Sequence, residues 1–202
     1  LNETTKLKIV IKDKETKENI EGIELEIKNE EGKTLTKLVQ SEEKGTYYIQ
    51  KLPVGKYKII ETKIPYDKGY VEKQVIEIKV EDNKNWQEVI IEQEISKVLI
   101  KIEDEETKEI VKNAQIVIRK KDTKEVVATT GTIENNTQKG NQNKLEQKEN
   151  ILSKIEETDK GYVVTKLPVG NYEIIEKVPD GYKQIGIVDL KVKDTKEWQN
   201  TV

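Results

Sequence analysis

Apolar and polar residues alternate strictly at several places along this chain. In Leu7-Lys8-Ile9-Val10-Ile11-Lys12-Asp13, the residues Leu7, Ile9 and Ile11 share one face of an extended strand and Lys8 and Lys12 the other. Successive side chains of a strand point to opposite sides, so the pattern predicts a half-buried strand rather than a helix. It recurs at Val98-Leu99-Ile100-Lys101-Ile102-Glu103-Asp104, with Val98, Ile100 and Ile102 inward. A polar turn follows each copy, Lys14 to Lys17 or Glu105 to Lys108, and then a second alternating strand, Ile23 to Ile27 or Ala114 to Ile118. Thr46 to Ile49, Gly161 to Val164, Val75 to Val80 and Ile187 to Val192 read as further strands, and Glu88 to Gln93 as the strand that closes the first half. Apolar-in, charged-out alternation is the mark of antiparallel sheet with one wet face.

The halves are copies of one plan. Leu52-Pro53-Val54-Gly55-Lys56-Tyr57-Lys58-Ile59-Ile60-Glu61, then Pro65 and Gly69-Tyr70, is matched by Leu167-Pro168-Val169-Gly170-Asn171-Tyr172-Glu173-Ile174-Ile175-Glu176, then Pro179-Asp180-Gly181-Tyr182. All 4 prolines lie in these segments. Repetition at this length predicts tandem domains, residues 1–94 and 95–202, each the size of a β-sandwich. The junction near Glu94-Ile95-Ser96 has no Gly/Ser-rich linker, which predicts restricted swing and an end-to-end rod. The second copy carries an insertion, residues 129–157, whose polar first part (Gly131 to Gln142) reads as a loop. Leu145, Leu152 and Ile155 fall near one helical face and predict a short amphipathic helix. The insertion is either surface length tolerated at little cost or a ligand-contacting excursion.

Composition narrows the chemistry. Lys and Arg number 36 against 39 Asp and Glu, for a net charge of −3, and the two signs are interspersed. No basic face for nucleic acid results. The chain has 0 Cys and 0 His, which removes disulfides, the usual zinc ligands, the commonest general base and any Ser-His-Asp or Cys-His triad. No apolar run approaches the roughly 20 residues that span a bilayer. The missing initial Met reads as a piece of a longer polypeptide, and the chain stops at Thr201-Val202 before a strand matching Glu88 to Gln93 is complete. The acidic turns Glu81 to Asn85 and Asp194 to Glu197 lack the oxygen spacing of a calcium loop. No metal site, cofactor or catalytic residue is expected. Trp86 and Trp198 recur at one repeat position and read as packing residues at a strand start, and Tyr70 and Tyr182 as turn anchors.

Asp13-x-x-Thr16, Ile20-x-Gly22 and the Leu52-Pro53-x-Gly55-x-Tyr57-x-Ile59-x-Glu61 segment with Pro65 and Gly69-Tyr70 resemble the collagen-adhesin B-type repeat, also described as SpaA-like or pilin-like, of Gram-positive surface proteins. The resemblance implies an all-β fold of two prealbumin-like, inverse-immunoglobulin sandwiches. It further implies an extracellular, wall-attached stalk and, in many members, an internal isopeptide bond. That bond joins a Lys of the first strand to an Asn or Asp of the last, assisted by a buried Glu that moves protons. Carried over by position, the Glu is Glu61 and Glu176, the Lys positions hold Ile11 and Ile102, and the Asn/Asp position falls near Gln93. Lys12 and Lys101 lie one residue away, on the opposite face unless a bulge shifts the register. The pair thus reads as isopeptide-lacking, with vestigial acids. An orphaned Glu there is expected to be neutral with a raised pKa or hydrogen-bonded; the alternative is an edge-of-core Glu near solvent.

A structural spacer that presents a distal adhesive region, and is not an enzyme, is the expected function. Its partners would be neighbouring repeats of the same chain. The alternatives are a binding module for a host extracellular-matrix protein or glycan through residues 129–157, and a self-crosslinking domain pair.

Overall fold

The computed structural model describes residues 5–131, 151–184 and 186–201. The chain divides into two compact units, residues 1–95 and 96–202. Each has its own apolar core.

The first unit runs β1 (Lys6–Asp13), β2 (Glu24–Asn29), β3 (Thr34–Leu38), β4 (Thr46–Gln50), β5 (Gly55–Lys63), a single 3-10 turn (Tyr66–Lys68), β6 (Val75–Val80) and β7 (Trp86–Gln93). Its strands form a three-stranded sheet, β4-β1-β7, and a four-stranded sheet, β3-β2-β5-β6. Leu7, Ile9 and Ile11 of β1 and Tyr47 and Ile49 of β4 meet Leu25 and Ile27 of β2 and Tyr57 and Ile59 of β5 between the sheets. Burying these side chains stabilises the unit by about 1.5–3 kcal/mol each. The first and last strands pair in parallel over an unbroken register, from Lys6 opposite Trp86 to Asp13 opposite Gln93. β3 is a strand that the periodicity does not announce: Thr34, Leu35 and Lys37 are all exposed.

The second unit repeats the plan with β8 (Lys97–Ile100), β9 (Gln115–Lys120), β10 (Val126–Thr129), β11 (Ser153–Thr158), β12 (Gly161–Thr165), β13 (Gly170–Lys177), β14 (Ile187–Val192) and β15 (Trp198–Thr201). β8 is shorter than the alternation predicts. It ends at Ile100, although Ile102 is still buried at 4% exposure.

One strand here has no counterpart in the first unit. β11 pairs antiparallel with β12 and in parallel with β10. It thereby joins the two layers into one eight-stranded sheet, β14-β13-β9-β10-β11-β12-β8-β15. This corrects the reading of residues 129–157 as an insertion ending in a helix. Thr129 closes β10, and Ser153 and Ile155 are buried in β11 with Lys154 exposed between them, a period of two rather than 3.6. Leu145 and the rest of the expected helix lie outside the described residues.

Close approach fixes two glycines at corresponding places, Gly45 just before β4 and Gly161 at the start of β12. A Cβ on Gly45 (φ +65°) would stand 2.5 Å from the Ile20 carbonyl oxygen, and one on Gly161 (φ +128°) 2.5 Å from that of Ile100. Both positions need a residue without a side chain.

Candidate functional site

β5 carries Tyr57, Ile59 and Glu61 inward on one face, which brings a carboxylate to the end of an apolar row. Glu61 is 2% exposed. Its backbone N–H donates to the Gln74 carbonyl at 3.0 Å, and its Oε2 accepts the Gln74 N–H at 2.8 Å. Oε1 is buried without a donor among the described residues. Burial in this apolar setting pushes the Glu61 pKa up to about 7, against the opposing pull of the Gln74 N–H. A proton on Oε1 relieves the cost of the buried charge. A bulge follows immediately, as Glu24 pairs with Lys63 but Leu25 with Glu61. The extra residue, Thr62, ends the regular ladder beyond the carboxylate.

Gln93, at the end of β7, is fully buried at 0% exposure. Its Nε2 donates to the carbonyls of Val71 at 3.0 Å and Glu72 at 3.3 Å, and its Oε1 has no donor among the described residues. Glu61 and Gln93 thus both bond to the segment between the 3-10 turn and β6. Ile11 is 0% exposed in β1 and lies opposite Ile91. The register from β1 to β7 contains no bulge, so Lys12 lies opposite Glu92 and alternates away from the core. Ile102 is 4% and Glu176 5% exposed in the second unit, where Gln184 Nε2 donates to the Glu176 carbonyl at 2.6 Å. Among the described residues no lysine is buried in either core.

Two neighbours of this site are not legible from the motif. Tyr47 is 0% exposed, donates its hydroxyl to the Ile23 carbonyl at 2.5 Å, and has its pKa pushed up to about 12 by burial and then by the Glu61 charge. Asp13 is 1% exposed, and its Oδ1 accepts the N–H groups of Glu15 and Thr16 at 2.8 and 2.9 Å. Its Oδ2 accepts the Tyr70 hydroxyl at 2.8 Å. The Asp-x-x-Thr motif is thus a side-chain-capped turn. Asp104 repeats it with Glu106 and Thr107, and the Thr107 N–H holds its carboxyl below the usual range. The two tyrosines differ in burial: Tyr70 is 6% exposed, whereas Tyr182 is 45% exposed and donates its N–H to the Pro179 carbonyl across the turn. Trp86 and Trp198 do begin strands, but on the outer face at 41% and 49% exposure, rather than packing into the core.

Among the described residues no cluster of three or more His, Cys, Asp or Glu is placed to hold a metal ion. No helix of the described residues is long and apolar enough to cross a membrane. The site offers a buried acid, Glu61, and a buried amide, Gln93, and Ile11 is buried in the core of the same unit.

A family model described as the SpaA prealbumin-like fold domain matches residues 5–95. The match covers the first unit of this chain, and the second unit repeats the first unit's strand order apart from β11. No curated protein sequence matches. Among solved structures, the chain is similar to the Bacillus anthracis TIE protein at 22% identity and TM-score 0.48, over 98% of this chain and 33% of that one. It is similar to BcpA, the major pilin subunit of Bacillus cereus, at 24% identity and TM-score 0.37, over 45% of this chain and 29% of that one. For the shaft pilin SpaA from Lactobacillus rhamnosus GG the values are 14% and 0.38, over 99% and 96%. The chain thus spans a third or less of the first two of these proteins.

Proposed function

We propose that this chain is a load-bearing spacer segment of a Gram-positive, wall-attached surface protein, holding a distal region away from the cell without a covalent crosslink in its first domain. The observation that carries this reading is the pairing of β1 with β7. They are the first and last strands of the domain, they run parallel, and their register is continuous from Lys6 to Asp13. Tension on the two ends of such a pair loads all its hydrogen bonds together in shear instead of opening them one at a time. Glu61 and Gln93 supply an acid and an amide, but Ile11 replaces the amine that the crosslink requires, so resistance rests on the ladder and the core. Intact mass is expected to show no loss of ammonia or water.

Single-molecule pulling tests the load-bearing role. The first domain, stretched through residues 5 and 95, is expected to unfold at several-fold higher force than when pulled so as to peel β4 from β1. Equal forces in the two directions would remove the mechanical argument.

A further inference from the structure

Trp86 and Tyr48 belong neither to the core nor to the buried acid site. They stand on the outer face of the β4-β1-β7 sheet at 41% and 43% exposure. Their ring centroids are 5.1 Å apart with planes at 71°, so the rings form a stepped notch open to solvent. Its rim is polar and organised. The Tyr48 hydroxyl donates to Glu43 Oε2 at 2.9 Å, and Lys8 Nζ lies 3.8 Å from Glu43 Oε1 and 6.0 Å from the Tyr48 centroid. Lys8 lies opposite Tyr48 on one side and Glu88 on the other.

We propose that this notch is a shallow carbohydrate-binding site that takes a neutral oligosaccharide. One pyranose residue would lay its C–H face against the Trp86 and Tyr48 rings, while Glu43 and Glu88 accept, and Lys8 donates, hydrogen bonds to its hydroxyls. The chemistry selects this occupant over others. Glu43 and Glu88 are balanced by Lys8 and by Lys6 opposite Trp86, so the patch carries no net charge to draw in an acidic glycan or nucleic acid. A protein partner would have to desolvate the Lys8–Glu43 pair over two rings, far less area than the roughly 1,000 Å² of a stable interface. A sugar brings an apolar face and a rim of donors and acceptors, the same two-part surface in complement.

The second domain supplies an internal contrast. Trp198 is 49% exposed with Lys97 Nζ 5.5 Å from its ring centre. There, however, Leu99 stands where Lys8 does, with Val163 and Asn200 on either side in place of Tyr48 and Glu88. The ring recurs without its second wall or its carboxylates, so this face is not expected to bind. The proposal rests on the surface and not on the spacer role, so either can fail alone.

The test is a glycan array of neutral and acidic oligosaccharides probed with the whole chain, each neutral hit then being titrated into isotope-labelled protein. The expected result is a neutral hit that shifts the Trp86 indole N–H resonance and leaves that of Trp198 in place. Affinity should fall about tenfold or more in Trp86→Ala and in Tyr48→Ala, and stay unchanged in Trp198→Ala. Should Trp86→Ala fail to fold, the indole shift in the unaltered chain and Tyr48→Ala decide the matter. An array with no neutral hit, hits confined to acidic glycans, or shifts that favour Trp198 would each overturn the proposal. Self-association that Trp86→Ala abolishes would do the same, by assigning the face to a second copy.

Discussion

Glu61 concentrates the chemistry of the first domain in one side chain. Its carboxyl is raised from 4.5 to about 7 by burial, so between these values an unfolded chain releases a proton that the folded chain keeps. Stability therefore falls as pH rises from about 4.5 to about 7 and levels off above, a loss of about 3 kcal/mol at most. Glu61→Gln is expected to abolish that decline, giving a variant more stable than the parent at pH 8 but not at pH 4. Chemical denaturation of both proteins at pH 4, 6 and 8 reads the difference, and parallel declines would place the titrating group elsewhere. Ile11 invites a second substitution. Ile11→Lys combined with Gln93→Asn puts an amine and a shorter amide in the core that Glu61 faces, and if the three meet, intact mass is expected to drop by one ammonia. An unchanged mass in the folded double variant would mean that the three side chains do not meet.

At the scale of elements, β11 is where the two domains diverge. Ile155 is 4% exposed and lies opposite Val164 on β12, so β11 is part of the second core rather than a decoration on it. Replacing residues 132–150 by a Gly/Ser linker of about a dozen residues is expected to leave the second domain folded, because parallel neighbours such as β10 and β11 need a crossover of roughly that length and its exact length weighs little on stability. Ile155→Ala should cost about 2–5 kcal/mol, the range for a large-to-small change in a core. Thermal unfolding of the two variants separates the cases, and an Ile155→Ala domain as stable as the parent would demote β11 to a surface strand. The sequence pattern could not place this element. Lys154-Ile155-Glu156 alternates too briefly to outweigh the helical spacing of Leu145, Leu152 and Ile155, and the decisive contact is with β10, upstream of residues 132–150. β3 was hidden for a related reason. An edge strand with both faces wet carries no apolar period, and only its pairing with β2 reveals it.

For the whole molecule, the two cores share no residue, one drawing on Leu7 through Ile95 and the other on Val98 through Val192. Two separable unfolding transitions are expected, and Glu61→Gln should move one of them. Calorimetry at pH 8 checks this, and a single transition shifted as a unit would show that the domains unfold together. Much of the candidate site could be read from the chain. The motif ending in Glu61 and the alternation through Ile11 put both residues on inward faces, and the resemblance pointed to Gln93 at the end of the closing strand. Tyr47 and Asp13 were not readable as neighbours of that site, because their partners, the Ile23 carbonyl and the Tyr70 hydroxyl, are far away in sequence.

Period-two alternation and a duplicated Pro-Gly-Tyr-Glu segment were sufficient by themselves to determine an all-β tandem of one plan, because strand geometry and turn chemistry are local. They also put Ile11 and Ile102 on the inward face of the opening strand of each copy. Tertiary structure alone decided that the terminal strands run parallel, that β11 ties two layers into one sheet, and that the tryptophans face water. Each of these depends on which strands become neighbours, and long-range pairing leaves no trace in the spacing of residues along a single strand.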